Sequence, residues 1–222
     1  MKRRGLVVAI AFALFLLLPA PLPAQAYPAV EGFAGFSLLN NEYGATRRNS
    51  PGLQLNFGYN PLRRVRLIAD FSAQFHGSDI QFSNREVKVR DYRMLFGPEV
   101  VIRNRSRATP FAHVLAGYAS RRFVWPTGEW NCTDISGDCS EIMRTLVSDS
   151  GFAMAVGGGV DVNLRPNYGI RLFQFDYMRA HLSRSNPDFV PDQGMLPTLK
   201  SWQTDYRISA GFYFRFGERT VR

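Results

Sequence analysis

TDYRISAGFYFRFG, Thr204 to Gly217, is the stretch whose reading decides the fold. Taken with a period of two, Tyr206, Ile208, Ala210, Phe212, Phe214 and Phe216 share one parity. Asp205, Arg207, Ser209, Gly211, Tyr213 and Arg215 share the other. A helix would mix these sets around its circumference, whereas a strand separates them onto two faces. One face is then wholly apolar and the other is charged or small. A single such strand could also cover a soluble core, so the number of repeats matters.

The pattern returns seven times upstream. Val30, Gly32, Ala34, Phe36 and Leu38 oppose Glu31, Phe33, Gly35 and Ser37. Leu53, Leu55, Phe57 and Tyr59 oppose Gln54, Asn56, Gly58 and Asn60. Val65, Leu67, Ala69, Phe71, Ala73 and Phe75 oppose Arg66, Ile68, Asp70, Ser72, Gln74 and His76. Tyr92, Met94, Phe96, Pro98, Val100 and Ile102 oppose Asp91, Arg93, Leu95, Gly97 and Glu99. Ala112, Val114, Ala116 and Tyr118 oppose His113, Leu115 and Gly117. Phe152, Met154, Val156, Gly158, Val160 and Val162 oppose Ala153, Ala155, Gly157, Gly159, Asp161 and Asn163. Between Ile170 and Met178 parity breaks, because Arg171 disagrees with Gln174 and Asp176. A bulge there, or Arg171 at the membrane interface, reconciles them.

The connections alternate as well. Short ones run Asn60 to Arg64, Arg103 to Ala108 and Arg165 to Tyr168. Long ones run Asn40 to Asn49, Gly77 to Glu86, Arg121 to Asp149 and Arg179 to Ser201. An even number of strands of about ten residues, with short turns at one end and long loops at the other, describes an outer-membrane barrel. The fold class is all-β, an eight-stranded antiparallel up-and-down transmembrane β-barrel. A soluble barrel would hold its apolar residues inside. Here the inner set holds Glu31, Arg66, Asp70, Asp91, Arg93, Glu99, His113, Asp161, Asp176, Arg207 and Arg215, far too much charge for a dry core.

Export is consistent with this. MKRRGLVVAIAFALFLLLPAPLPAQA has a basic start, an apolar run from Gly5 to Leu18 and a small-residue site at Ala24-Gln25-Ala26. Residues 1–26 are expected to be a cleaved signal peptide and residues 27–222 the barrel domain. No later segment offers the run of about 18 apolar residues that a transmembrane helix needs. Cys132 and Cys139, close together in a polar stretch, are expected to form one disulfide in an oxidising compartment. The chain is basic, with a formal charge of +9, but its cations lie in separated loops, which argues against a nucleic-acid partner.

With the leader, the eight segments and the last strand in hand, the chain resembles the OmpA/OmpX-type small outer-membrane β-barrel family. The resemblance is one of pattern and covers the mature chain. SAGFYFRF is similar to the signal read by the barrel-assembly machinery, through Ser209, Gly211, Phe214 and Phe216. The tail Gly217 to Arg222 departs from members that stop at the final aromatic. The resemblance implies a monomer surrounded by outer-membrane lipid and lipopolysaccharide, without cofactor or catalytic residues.

An eight-stranded barrel is just wide enough for its own side chains. Neighbouring strands place Glu99 beside His113, Arg66 on the other side of Glu99, Asp161 near His113, and Glu31 near Arg215. Such a network satisfies buried charge; the alternative is a narrow ion path. His181 and Ser183 are spaced as in the His-x-Ser motif of lipid A 3-O-deacylases, with Asp188 or Asp192 as a candidate orienting acid. Their expected place in a polar loop accounts for them without catalysis. Gly157 to Gly159 lack the following helix of a phosphate cradle and are expected to allow close packing. Arg63, Arg64, Arg103, Arg105, Arg107 and Arg165 occupy the short turns as headgroup anchors. At the other rim Arg47, Arg48, Arg121, Arg122, Arg184 and Lys200 are candidates to meet lipopolysaccharide phosphates, a patch that Asp134, Asp138 and Glu141 dilute. Trp125, Trp130 and Trp202, with Tyr118 and Tyr177, form an aromatic girdle or loop cap.

Overall fold

The structure is a computed structural model and describes residues 27–43, 46–82, 85–103, 106–132, 139–185 and 202–219. The leader and its cleavage site, Asp188, Asp192 and Lys200 lie outside the described residues. Eight strands follow in order: β1 (Tyr27–Tyr43), β2 (Thr46–Tyr59), β3 (Val65–Phe82) and β4 (Arg85–Val101). Then come β5 (Ala108–Cys132), β6 (Cys139–Asn163), β7 (Tyr168–Ser185) and β8 (Gln203–Arg219). They close into one antiparallel barrel in sequence order, so none of the eight is an edge strand, although the outer ends of β5 and β6 pair only with each other. The compact unit holding the barrel runs from Pro28 to Gly217.

The two parities part as the sequence predicts. Phe36 of β1 is 78% exposed, and Phe57, Leu67, Phe96, Val114, Val156, Phe175 and Phe212 carry the apolar outer surface around the other seven strands. A belt of this kind on every strand exceeds any patch that water tolerates, and lipid is the solvent that fits it. The chain is therefore a transmembrane β-barrel of the outer-membrane type. Ten of the eleven expected inner residues are buried and Arg215 is half-buried.

At the parity break in β7 the bulge is the correct reading. Val160 pairs with Phe173 and Asp161 with Arg171, leaving Leu172 as the extra residue. Leu172 and Phe173 both face outward, so Arg171 and Asp176 can both point in. Arg171 is not at the interface.

The long connections need a larger correction. The β1–β2 ladder continues to Tyr43 opposite Thr46, and the β3–β4 ladder to Phe82 opposite Arg85. The β5–β6 hairpin runs on to Cys132 opposite Cys139. Most of what reads as loop is ladder. In these outer parts the polarity of the alternation turns over, with Val87 and Val89 buried between exposed Glu86 and Lys88, so the apolar-out pattern is lost while the backbone still pairs its N–H and C=O groups. The extension is irregular between Pro126 and Trp130, where Gly128 takes φ 82°, a left-handed conformation suited to glycine. Residues 186–201 lie outside the described residues.

Candidate functional site

At the short-turn end, Glu31 gathers three arginines. Arg66 is ion-paired to it, Arg103 donates at 2.9 Å, and Arg215 lies at 3.6 Å. The Glu31–Arg215 contact is the one expected from barrel closure. Arg103 is not a headgroup anchor: its guanidinium turns inward to Glu31 and to Asn60 Oδ1 at 2.8 Å. Arg66 also donates to Glu99 at 2.6 Å, as the register Arg66 opposite Glu99 requires.

Above this cap, Arg171 occupies the lumen. Its guanidinium carbon sits 4.4 Å from the Phe33 ring and 4.3 Å from the Phe111 ring, rings supplied by β1 and β5. A planar cation between two aromatic faces is a favourable arrangement in a desolvated site. Its Nε donates to Asp161 at 2.7 Å and its Nη1 to Gln174 at 2.6 Å. A cavity of about 10 Å³ remains beside it, lined by Phe33, Arg66, Ile68 and Tyr213. That is room for about one water.

His113 sits opposite Glu99, as expected, with Nδ1 3.2 Å from the carboxylate. The expected Asp161–His113 neighbourhood is not what forms. Asp161 lies opposite Thr109, and Asp176 reaches His113 Nε2 at 2.8 Å. Gly157 makes this possible. It stands between the two, opposite His113 on one side and Asp176 on the other, and a Cβ there would meet the Asp176 carboxylate. The glycine run of β6 thus serves close packing, here for a polar contact. Arg207 completes the layer, bridging Asp176 at 2.7 Å and Asp70 at 2.8 Å.

On β4 to β7 the next layer is apolar. Leu95, Leu115, Ala119, Ala153, Ala155, Met178, Ala180 and Leu182 form one buried cluster with Ile68 and Leu39. On those four strands they separate the lower charges from an upper set. There, Arg93 pairs with Asp205, and Arg121 donates to Asp91 at 2.8 Å and to Gln203 at 2.7 Å. Asn41 donates to Asp91 at 3.0 Å. Arg184 is ion-paired to Asp149 at 2.9 Å. Arg121 is buried, so it belongs to the lumen rather than to the lipopolysaccharide-facing rim. On β8 and β1 to β3 the inner wall stays mostly polar through Ser209, Gln54, Ser72 and Gln74. His76 meets Ser50 Oγ at 2.8 Å.

Arg103, Arg121, Arg171, Asp205 and Gln174 join the interior network although the expected set did not include them; Arg121 continues the inward parity of His113 and Leu115. Asp205 and Gln174 do have inward parity. Arg103 lies in a turn, where parity has no meaning.

Other candidates fall outside the lumen. His181 and Ser183 are within β7, exposed on its outer face, and not in a loop. His181 packs edge-on against Trp202 at 5.3 Å. Among the described residues no hydrogen bond joins His181 to Ser183. In β8, Ser209 points inward while Phe214 and Phe216 face out, with half-buried Gly211 opposite Arg171. Tyr118, Tyr177, Trp202 and Trp130 are exposed, and Trp130 sits far out on the β5–β6 extension.

No protein-family model and no curated protein matches this sequence. Among solved structures the chain is similar to Neisserial surface protein A, at 13% identity and TM-score 0.55, covering 86% of this chain and 99% of that one. It is also similar to Ail of Yersinia pestis, crystallised with the heparin analogue sucrose octasulfate, at 16% identity and TM-score 0.48, covering 87% and 100%. OprG from Pseudomonas aeruginosa follows at 12% identity and TM-score 0.47, covering 86% and 97%. The likeness to the neisserial protein is one of fold: a small eight-stranded outer-membrane barrel.

Proposed function

We propose that the chain is an outer-membrane protein of the OmpA/OmpX type, acting as a structural and surface-interaction barrel with no conducting lumen and no catalytic step. The observation that carries this is the filled interior. Arg171 sits between Phe33 and Phe111 at one level, and the Leu95–Leu115–Met178 cluster separates two ion-pair sets at the next. An ion would have to pass the first, and at the second the polar side of the lumen is filled by Gln54 and Gln74, both buried and hydrogen-bonded to Asp70 and Ser37 respectively. The tall β5–β6 hairpin and the other extended ladders are then the parts left to meet a partner. In the same reading the leader is removed after Ala26, the barrel-assembly machinery recognises Ser209, Gly211, Phe214 and Phe216, and the protein inserts as a monomer. Cys132 and Cys139 close a disulfide at the hairpin tip.

Single-channel recording on mature protein refolded into planar bilayers tests the reading. Silence from protein with heat-modifiable gel mobility is expected. Discrete, reproducible conductance steps would replace the scaffold by a small pore.

A further inference from the structure

The outer wall of β2 to β5 is not a uniform apolar belt. The ladder row Leu53–Ala73–Tyr92–Ser120–Ser150 crosses five strands with Tyr92 as its only large ring. The row toward the membrane centre, Leu55–Phe71–Met94–Tyr118–Phe152, is bulky throughout. The contrast leaves a groove of about 600 Å³, floored by Ala73 and walled by Leu53, Phe71, Tyr92 and Tyr118. That size suits acyl chains rather than a side chain from a neighbour.

The next row outward is cationic. Arg90 lies directly opposite Arg122, both on the lipid-facing side, with Lys88 two residues along β4 on the same face. Arg122 also borders the groove and stacks on Tyr92, with its guanidinium carbon 5.9 Å from the ring. Like charges directly opposite on one face of a sheet repel. Among the described residues no carboxylate pairs with Lys88, Arg90 or Arg122. Glu86, two residues beyond Lys88, lies over Gly77 of β3 instead. An anion from outside the chain would relieve this repulsion, and guanidinium pairs suit phosphate.

We propose that this wall is a binding site for a phosphorylated, multiply acylated glycolipid of the outer leaflet. Its acyl chains lie along Ala73 between Phe71 and Tyr92, and its phosphate is held by Arg90 and Arg122. The inference rests on the membrane-embedded reading of the barrel. Other outward cations exist: Arg179 stacks over Trp202 at 5.3 Å, and Arg47, over Tyr206 at 4.8 Å, lines a hollow of about 490 Å³ whose other walls, Arg48, Asn49, His76 and Gly77, hold no apolar side chain for an acyl chain to lie on. They supply the control.

The test uses mature protein refolded in phosphatidylcholine nanodiscs carrying a small fraction of bis-phosphorylated lipid A, with retained lipid A quantified by mass after detergent exchange. Arg90→Gln with Arg122→Gln is expected to lower retention about tenfold or more, since two charge-assisted contacts are lost. Ala73→Trp fills the groove from the lipid side and is expected to lower it several-fold with the charges intact. Arg47→Gln with Arg179→Gln should change it less than about twofold. Retention of dephosphorylated lipid A or of phosphatidylglycerol at the level of bis-phosphorylated lipid A overturns the proposal. So does an equal loss in the control pair, or none in the Arg90/Arg122 pair. Heat-modifiable mobility is read on every variant. If wild type lacks it and fails to insert, the barrel reading itself falls; if it inserts without selective retention, only the glycolipid site does.

Discussion

Arg207 and Asp70 stand 137 residues apart in sequence and meet through two parallel hydrogen bonds, Nη1 to Oδ1 at 2.8 Å and Nη2 to Oδ2 at 2.9 Å. They belong to β8 and β3, strands that are not ladder neighbours, so the pair spans the lumen. Both side chains are fully buried. Two charges held this way repay their desolvation only while both partners and the remaining bonds are in place.

Arg207→Met strands Asp70 and weakens the hold on Asp176, and Asp70→Asn leaves half a guanidinium unmatched. Each single change is expected to destabilise the refolded barrel by about 3–5 kcal/mol. The double change Asp70→Leu with Arg207→Met should recover part of that loss. Urea unfolding midpoints, followed by the heat-modifiable gel shift, give the comparison. Single variants within about 1 kcal/mol of wild type would show the pair to be decorative.

Gly157 gives a second measurable quantity. Alanine there meets the Asp176 carboxylate and the Phe175 carbonyl, whereas alanine at Gly32 finds Asn56 O at 4.0 Å, an ordinary contact. Gly157→Ala is expected to cost about 1–3 kcal/mol by overpacking, and Gly32→Ala close to nothing. Equal costs at the two positions would contradict the role given to Gly157.

Arg93 holds Asp205 and touches Met178 Sδ at 3.1 Å, at the outer boundary of the apolar layer. Neutralising it removes a charge but leaves Leu95 and Leu115 in place. Arg93→Gln is expected to stay silent in planar bilayers. A conductance that appears on this change alone would mean that the charge, and not the apolar cluster, closes the barrel.

The hairpin tip makes a separable prediction. Unreduced mature protein should show no maleimide-reactive thiol, and reduction should expose both of its two cysteines. Because Cys132 and Cys139 pair at the far end of the β5–β6 ladder, reduction should quicken proteolysis of residues 126–144 and leave the unfolding midpoint unchanged. Thiol labelling of the unreduced protein speaks against the bridge.

Ser183 is exposed on the outer face of β7, within reach of lipid. Cells expressing the Ser183→Ala variant are expected to carry lipid A with the same acyl chains as cells expressing wild type. An acyl chain removed only in the presence of Ser183 would make the barrel a hydrolase.

Much of this was legible in the residues. Which way a strand side chain points is set by the local backbone, so parity alone assigned Phe212 to lipid and Arg207 to the lumen, and it located the irregularity near Arg171. Ladder neighbours across short turns were legible too, as with Glu99 and His113, because a tight turn leaves little freedom of register. Parity carries no distance along the barrel axis, however. It could not say whether Asp161 or Asp176 reaches His113, since that depends on the stagger of β5, β6 and β7 and on the extra residue at Leu172. Nor could it bring Arg103 in from its turn or show the ladders climbing to Cys132 and Cys139, where the apolar-out pattern is lost and Val87, Val89 and Phe123 turn inward. The sequence by itself determined that this chain forms an apolar-walled, charge-filled barrel, because solvent sorts each side chain locally. Only the closed tertiary structure decided which charges pair, that Arg171 lies between Phe33 and Phe111, and where the outer wall hollows beneath Arg90 and Arg122. Those depend on shear and closure, which bring together residues from strands far apart in the chain.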